Sequence, residues 1–147
     1  MVVKTYRGLL ADGGQERISL KTLKGTTGYR IVKFQIMTAL PGTTDYEQIV
    51  KIFKKSQSSI VEDINFADSA LLAAGYTEGG AATNFIGNPV TVIFDNEIFN
   101  QDIFISHIDT KGTANVNYYI ELEVIPLTDQ GAEYTTLKDI RTQLTIS

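Results

Sequence analysis

The stretch VNYYIELEV, Val116–Val124, alternates with a period of two along its whole length. Val116, Tyr118, Ile120, Leu122 and Val124 fall on one side of an extended chain, and Asn117, Tyr119, Glu121 and Glu123 fall on the other. Such a pattern defines a strand packed on one face and wet on the other. The same period recurs outward from it. In GYRIVKFQIM, Val32, Phe34 and Ile36 alternate with Lys33, Gln35 and Met37; in SIVEDINF, Ile60, Ile64 and Phe66 form a set interrupted only by Glu62. Near the start, VVKTYRGLL and QERISLKTL flank Ala11-Asp12-Gly13-Gly14, whose glycines supply the positive φ that a hairpin turn needs.

Two segments fit a second period. TTDYEQIVKIFKK sets Tyr46, Ile49, Val50 and Phe53 at helical spacing after a Thr44-to-Glu47 capping-box interval. Its β-branched Ile49, Val50 and Ile52 favour a strand instead. EYTTLKDIRTQL, with Tyr134, Leu137, Ile140 and Leu144 near helical spacing, is compatible with a final helix or an irregular edge. The glycine-rich stretch from Gly75 to Pro89 reads as an exposed loop. About nine or ten short strands punctuated by Gly, Pro, Asn and Asp predict an all-β fold: one antiparallel β-sandwich or jelly-roll domain spanning 1–147, with one short helix at most.

Composition agrees with a packed soluble domain. The chain has 147 residues, 43% hydrophobic and 20% charged, with a net charge of −4. A domain of this size buries roughly 70% of the surface its unfolded chain exposes. The absence of cysteine excludes disulfides, thiol nucleophiles and thiolate metal sites. The N-terminus lacks a continuous apolar h-region and no apolar run approaches a membrane span, so a soluble, cytosolically made chain is expected. Basic residues are scattered apart from Lys51, Lys54 and Lys55, which gives little support to a nucleic-acid groove.

Candidate chemistry concentrates in TVIFDNEIFNQDIFIS, Thr91–Ser106, where Asp95, Glu97 and Asp102 stand among large apolar residues. The spacing matches no EF-hand loop. Strands over Val92–Phe94 and Ile103–Ile105, with Asp95–Gln101 turning between them as a hairpin, explain the acids as solvated turn residues. His107 and Asp109 share a strand face beside Ser106, which points the other way, so a nucleophile, base and orienter do not assemble. Glu121 and Glu123, about 7 Å apart on one face, serve as the polar side of the strand. Gly13-Gly14-Gln15 reads as turn chemistry. No P-loop, GxGxxG, HExxH or GxSxG is present. No enzymatic activity, catalytic residue, metal or cofactor is expected.

The order ADGGQERISL, GYRIVKFQIM, a Pro-Gly linker, YEQIVKIF, INFADSALLAA, VIFDNEIFNQDIFIS and NYYIELEVI with TLKDIR resembles small virion proteins of marine tailed bacteriophages. The resemblance spans nearly the whole chain and implies a structural protein without catalytic residues, such as a head-decorating or cement protein of the capsid. The implied setting is a virion assembled in a bacterial cytoplasm, and the implied partners are the major capsid protein or other virion proteins, with homo-oligomerisation. Phe99 and Tyr119 are candidate partner-interface aromatics. A neck, tail or fibre-attachment part is the nearest alternative. A carbohydrate-binding sandwich using Tyr29, Tyr76 or Tyr119 as stacking platforms, with calcium near Asp95, is a third.

Overall fold

The computed structural model describes residues 1–80 and 90–144, which form eight strands and one helix. In chain order they are β1 (Val2–Leu10), β2 (Gln15–Ile18), β3 (Thr27–Thr38), β4 (Tyr46–Phe53), β5 (Leu71–Gly79), β6 (Val90–Phe94), β7 (Ile103–Asp109), β8 (Val116–Pro126) and α1 (Asp129–Leu144). The strands make two antiparallel sheets, one ordered β1-β8-β3 and the other β2-β7-β4-β5-β6. The fold is thus an all-β sandwich of the jelly-roll kind. β1 lies beside β8, β2 beside β7 and β4 beside β5, as one long antiparallel hairpin does when rolled into two layers. The remaining pair of that series, β3 and β6, lie next to each other without a shared ladder, because β6 pairs with β5.

β8 occupies the centre of the three-stranded sheet. Its Val116, Tyr118, Ile120 and Leu122 are buried, while Asn117, Tyr119, Glu121 and Glu123 face outward, with Tyr119 opposite Arg7 of β1 and Glu121 and Glu123 opposite Lys33 and Arg30 of β3. The facing layer contributes Val50, Ile52, Ile103, Ile105, Leu72 and Ala73 to the same core. β4 is a strand, as its β-branched residues favour.

Five expectations need correction. β1 and β2 do not pair: the turn forms, with Gly13 at φ 75°, but it carries the chain from one sheet to the other. Gly13 N–H donates to the His107 carbonyl and His107 N–H to the Gly14 carbonyl, so the turn already joins β7. In β3 a bulge between Ile31 and Lys33 switches faces, and the inward set is Tyr29, Ile31, Phe34 and Ile36 rather than Val32, Phe34 and Ile36. β6 and β7 are not a hairpin, since β4 and β5 lie between them.

SIVEDINF is not a strand. Residues 58–69 run as an irregular segment, leaving Val61, Ile64 and Phe66 exposed. The stretch expected to be a loop from Gly75 begins instead within β5; residues 81–89 lie outside the described residues. Ala73 and Gly75 on the inner face of β5 have little β propensity. They are required because the opposite sheet comes so close: a Cβ on Gly75 would sit 3.0 Å from Ile36 Cδ1.

Candidate functional site

The three carboxylates of the Thr91–Ser106 stretch diverge to separate tasks. Asp95 Oδ1 accepts the Glu97 N–H at 3.1 Å. Glu97 Oε2 lies 2.7 Å from Lys54 Nζ, and its Oε1 lies 3.5 Å from Lys138 Nζ. Asp102 Oδ1 accepts the N–H groups of Leu20 and Lys21, closing the chain after β2. Among the described residues no three His, Asp or Glu side chains gather as a metal cluster.

His107 and Asp109 share the core face of β7, but they do not work as a pair. Asp109 accepts from the backbone N–H groups of Glu47, Lys111, Gly112 and Ala114 and so ties down the turn after β7. The His107 ring is fully buried; its Nδ1 lies 3.2 Å from the Ala11 carbonyl and its Nε2 has no protein partner. Burial depresses its pKa against the opposing pull of the Ala11 carbonyl, Asp12 and Asp109. Glu121 accepts the Tyr119 hydroxyl at 2.7 Å and Glu123 pairs with Arg30. Gln15, last of the Gly-Gly-Gln triplet, bonds Ser56 and the Gln57 backbone.

The two interface candidates part company. Phe99 is 1% exposed, so its ring packs on its own domain. Its backbone exchanges two hydrogen bonds with Tyr29 at 2.7 and 2.9 Å, extending the edge of β3, and the rings stack at 6.4 Å. Tyr29 is buried by the same contact and offers no stacking platform. The Tyr76 hydroxyl lies 3.0 Å from Glu47 Oε2 and 2.9 Å from Glu78 Oε2, within donating distance of either carboxylate. Tyr119 stays on the outer face of the sheet with Lys33 Nζ 5.8 Å from its ring centre. It borders a cleft of about 920 Å³ that Arg7, Leu9, Met37 and Val90 also line.

Sequence periodicity did not reveal the arrangement around α1. Thr128 caps the helix, its Oγ1 accepting the Gly131 N–H at 3.0 Å and its carbonyl accepting from Ala132. The packed side of the helix is largely polar: Ala132, Thr135, Asp139 and Thr142 are its buried residues. Asp139, fully buried, accepts the Asn100 N–H at 2.9 Å and lies 3.8 Å from Lys54 Nζ, which itself has almost no solvent contact. Burial raises the Asp139 pKa, opposed by the Asn100 N–H and by Lys54 and Lys138. Asn100 Nδ2 donates to Gly25 O and Thr136 Oγ1, and Lys138 Nζ to Ile98 O. Gly25 has φ 65°, and a Cβ there would meet Thr136 Oγ1 at 2.8 Å, so helix and loop approach as closely as they do only because it is glycine.

With polar anchors turned inward, the apolar side of α1 faces out. Tyr134 is 70%, Leu137 62%, Ile140 39% and Leu144 77% exposed. These are the residues whose helical spacing was visible in the sequence; the periodicity marks an outer stripe rather than a core stripe. Ordinary surface helices bury such a stripe. A contiguous exposed one marks an interaction surface.

No protein-family model matches the chain, and no curated protein matches it. Among the described residues no helix is long and apolar enough to cross a membrane.

Proposed function

We propose that this protein is a non-enzymatic structural component of a tailed-phage virion, a decoration or cement protein that stabilises the head by contacts to coat subunits and to its own copies. The observation that carries this reading is the outward apolar face of α1, held out by a buried polar network on the opposite side of the helix. A structural protein that acts through its surface needs a rigid body and an adhesive patch. The two-sheet core supplies the first and the Tyr134–Leu144 stripe the second. The segment resemblance supplies the phage setting, and jelly rolls recur in capsid domains, though also in lectins, so topology alone assigns neither.

Such a protein recognises a lattice that is already built, so contacts that are individually weak become strong when several are made together. The test is rebinding to particles stripped of the protein. Wild-type chain should restore occupancy and raise resistance to heat and low salt, whereas Leu137→Glu combined with Leu144→Glu should bind poorly. Equal rebinding by the double variant would reject the α1 surface, and a chain never found in purified particles would reject the virion role.

A further inference from the structure

We infer that the outward face of α1 takes a second copy of this chain, packed antiparallel across a two-fold axis that passes beside Leu137. The inference rests on the assembly role proposed above and names one partner for its surface. At about 3.6 residues per turn, Leu137 and Leu144 lie along the middle of the exposed stripe, with Tyr134 and Arg141 on one flank and Glu133 and Ile140 on the other.

A two-fold axis lying between the helices and perpendicular to them returns each flank to itself with the chain direction reversed. Tyr134 is three residues before Leu137 and Arg141 four residues after it, so Tyr134 of one copy meets Arg141 of the other, twice. An aromatic face against a guanidinium is a favourable pair at an interface. Leu137 meets Leu137 near the axis.

Charge selects this direction. α1 carries Asp129 in its first turn and Arg141 in its last, with Glu133 in its N-terminal half. A parallel pair, whose two-fold axis runs along the helices, would bring opposite flanks together, set Arg141 against Ile140 rather than Tyr134, and leave the helix dipoles aligned. The antiparallel pair places the acidic end of one helix beside the basic end of the other and opposes the dipoles. A contact of two four-turn helices buries on the order of 1,000 Å² in all, below the standard ~1,600 Å², so the dimer is weak and concentration-dependent. That strength suits a protein whose binding is completed by many simultaneous contacts.

The chain has no cysteine, so single-cysteine variants report directly on proximity. Under mild oxidation Leu137→Cys should cross-link to itself, since facing residues beside a two-fold axis reach the roughly 4–7 Å Cα separation that a disulfide needs. Asp129→Cys should not, because the antiparallel arrangement holds the two N-termini apart. Sedimentation equilibrium of the wild-type chain from low to high micromolar concentration should show a monomer–dimer equilibrium, abolished in Leu137→Glu with an unchanged melting temperature. Wild-type chain that is monomeric throughout, or cross-linking of Asp129→Cys as fast as that of Leu137→Cys, would overturn the proposal. If Leu137→Glu fails to fold, the cysteine pair still decides. A chain that is monomeric in solution yet seated on particles through α1 would remove the dimer and leave the structural role; a dimer of a chain missing from particles would do the reverse.

Discussion

Lys54 and Asp139 are charged side chains with almost no solvent contact, and each depends on the other and on Glu97 and Asn100 for compensation. Removing one partner of a buried ion pair costs about 3–5 kcal/mol because the remaining charge is stranded. Urea unfolding of Lys54→Met should show a loss of that size. Adding Asp139→Asn should recover part of it, a coupling that the double-mutant cycle measures. Titration gives the two buried groups opposite signs. Asp139 has a raised pKa, so its favourable share of stability is complete below about 3.8 and is lost as pH rises through its folded value. His107 has a depressed pKa, so its share is complete above about 6.5 and is lost as pH falls through its folded value. His107 is the one histidine of the chain, and its ring resonance should titrate below 6.5 in the folded protein. A titration at or above 6.5 would show that the ring is not buried as described.

Among the elements, α1 and the 54–70 segment are attached by polar contacts rather than by ladders. Lys51 lies on the outer side of β4, where its Nζ donates to the carbonyls of Val61 at 2.8 Å and of Asp63. This one side chain pins the irregular segment over the sheet. Lys51→Met should cost about 1–2 kcal/mol and raise hydrogen exchange selectively within 58–69, which exchange mass spectrometry reads. Thr128→Ala should cost about 1 kcal/mol through the lost helix cap. Leu137→Ala, by contrast, should change stability by less than about 0.5 kcal/mol, as befits an exposed position, while Ile120→Ala in the core should cost about 2–5 kcal/mol.

These elements also show where sequence pattern stops being informative. β8 was legible because one face meets the core and the other meets water, so Ile120 and Glu121 differ in kind. β5 was not, because close sheet packing selects Ala73 and Gly75, residues that also populate loops. In α1 the spacing of Tyr134, Leu137 and Leu144 was visible, but pattern alone does not say which side of a helix is packed. That was decided by Asn100, Lys54 and Gly25, distant in sequence and brought to the other side of the helix by the fold. Phe99 follows the same logic: its ring packs on Tyr29, far away along the chain.

The whole molecule is a rolled hairpin whose two sheets close on one apolar core and whose C-terminal helix presents apolar residues to the outside. If assembly is its role, sandwich and helix divide the work: the sandwich keeps the helix at a fixed orientation and the helix makes the contact. The most direct test is a cryo-electron-microscopic reconstruction of native particles. The chain should appear in many copies on the outer head surface near local symmetry axes, with Tyr134, Leu137 and Leu144 buried against a neighbouring subunit. Finding it only at the neck or tail, or on the head with α1 turned to solvent, would contradict the account.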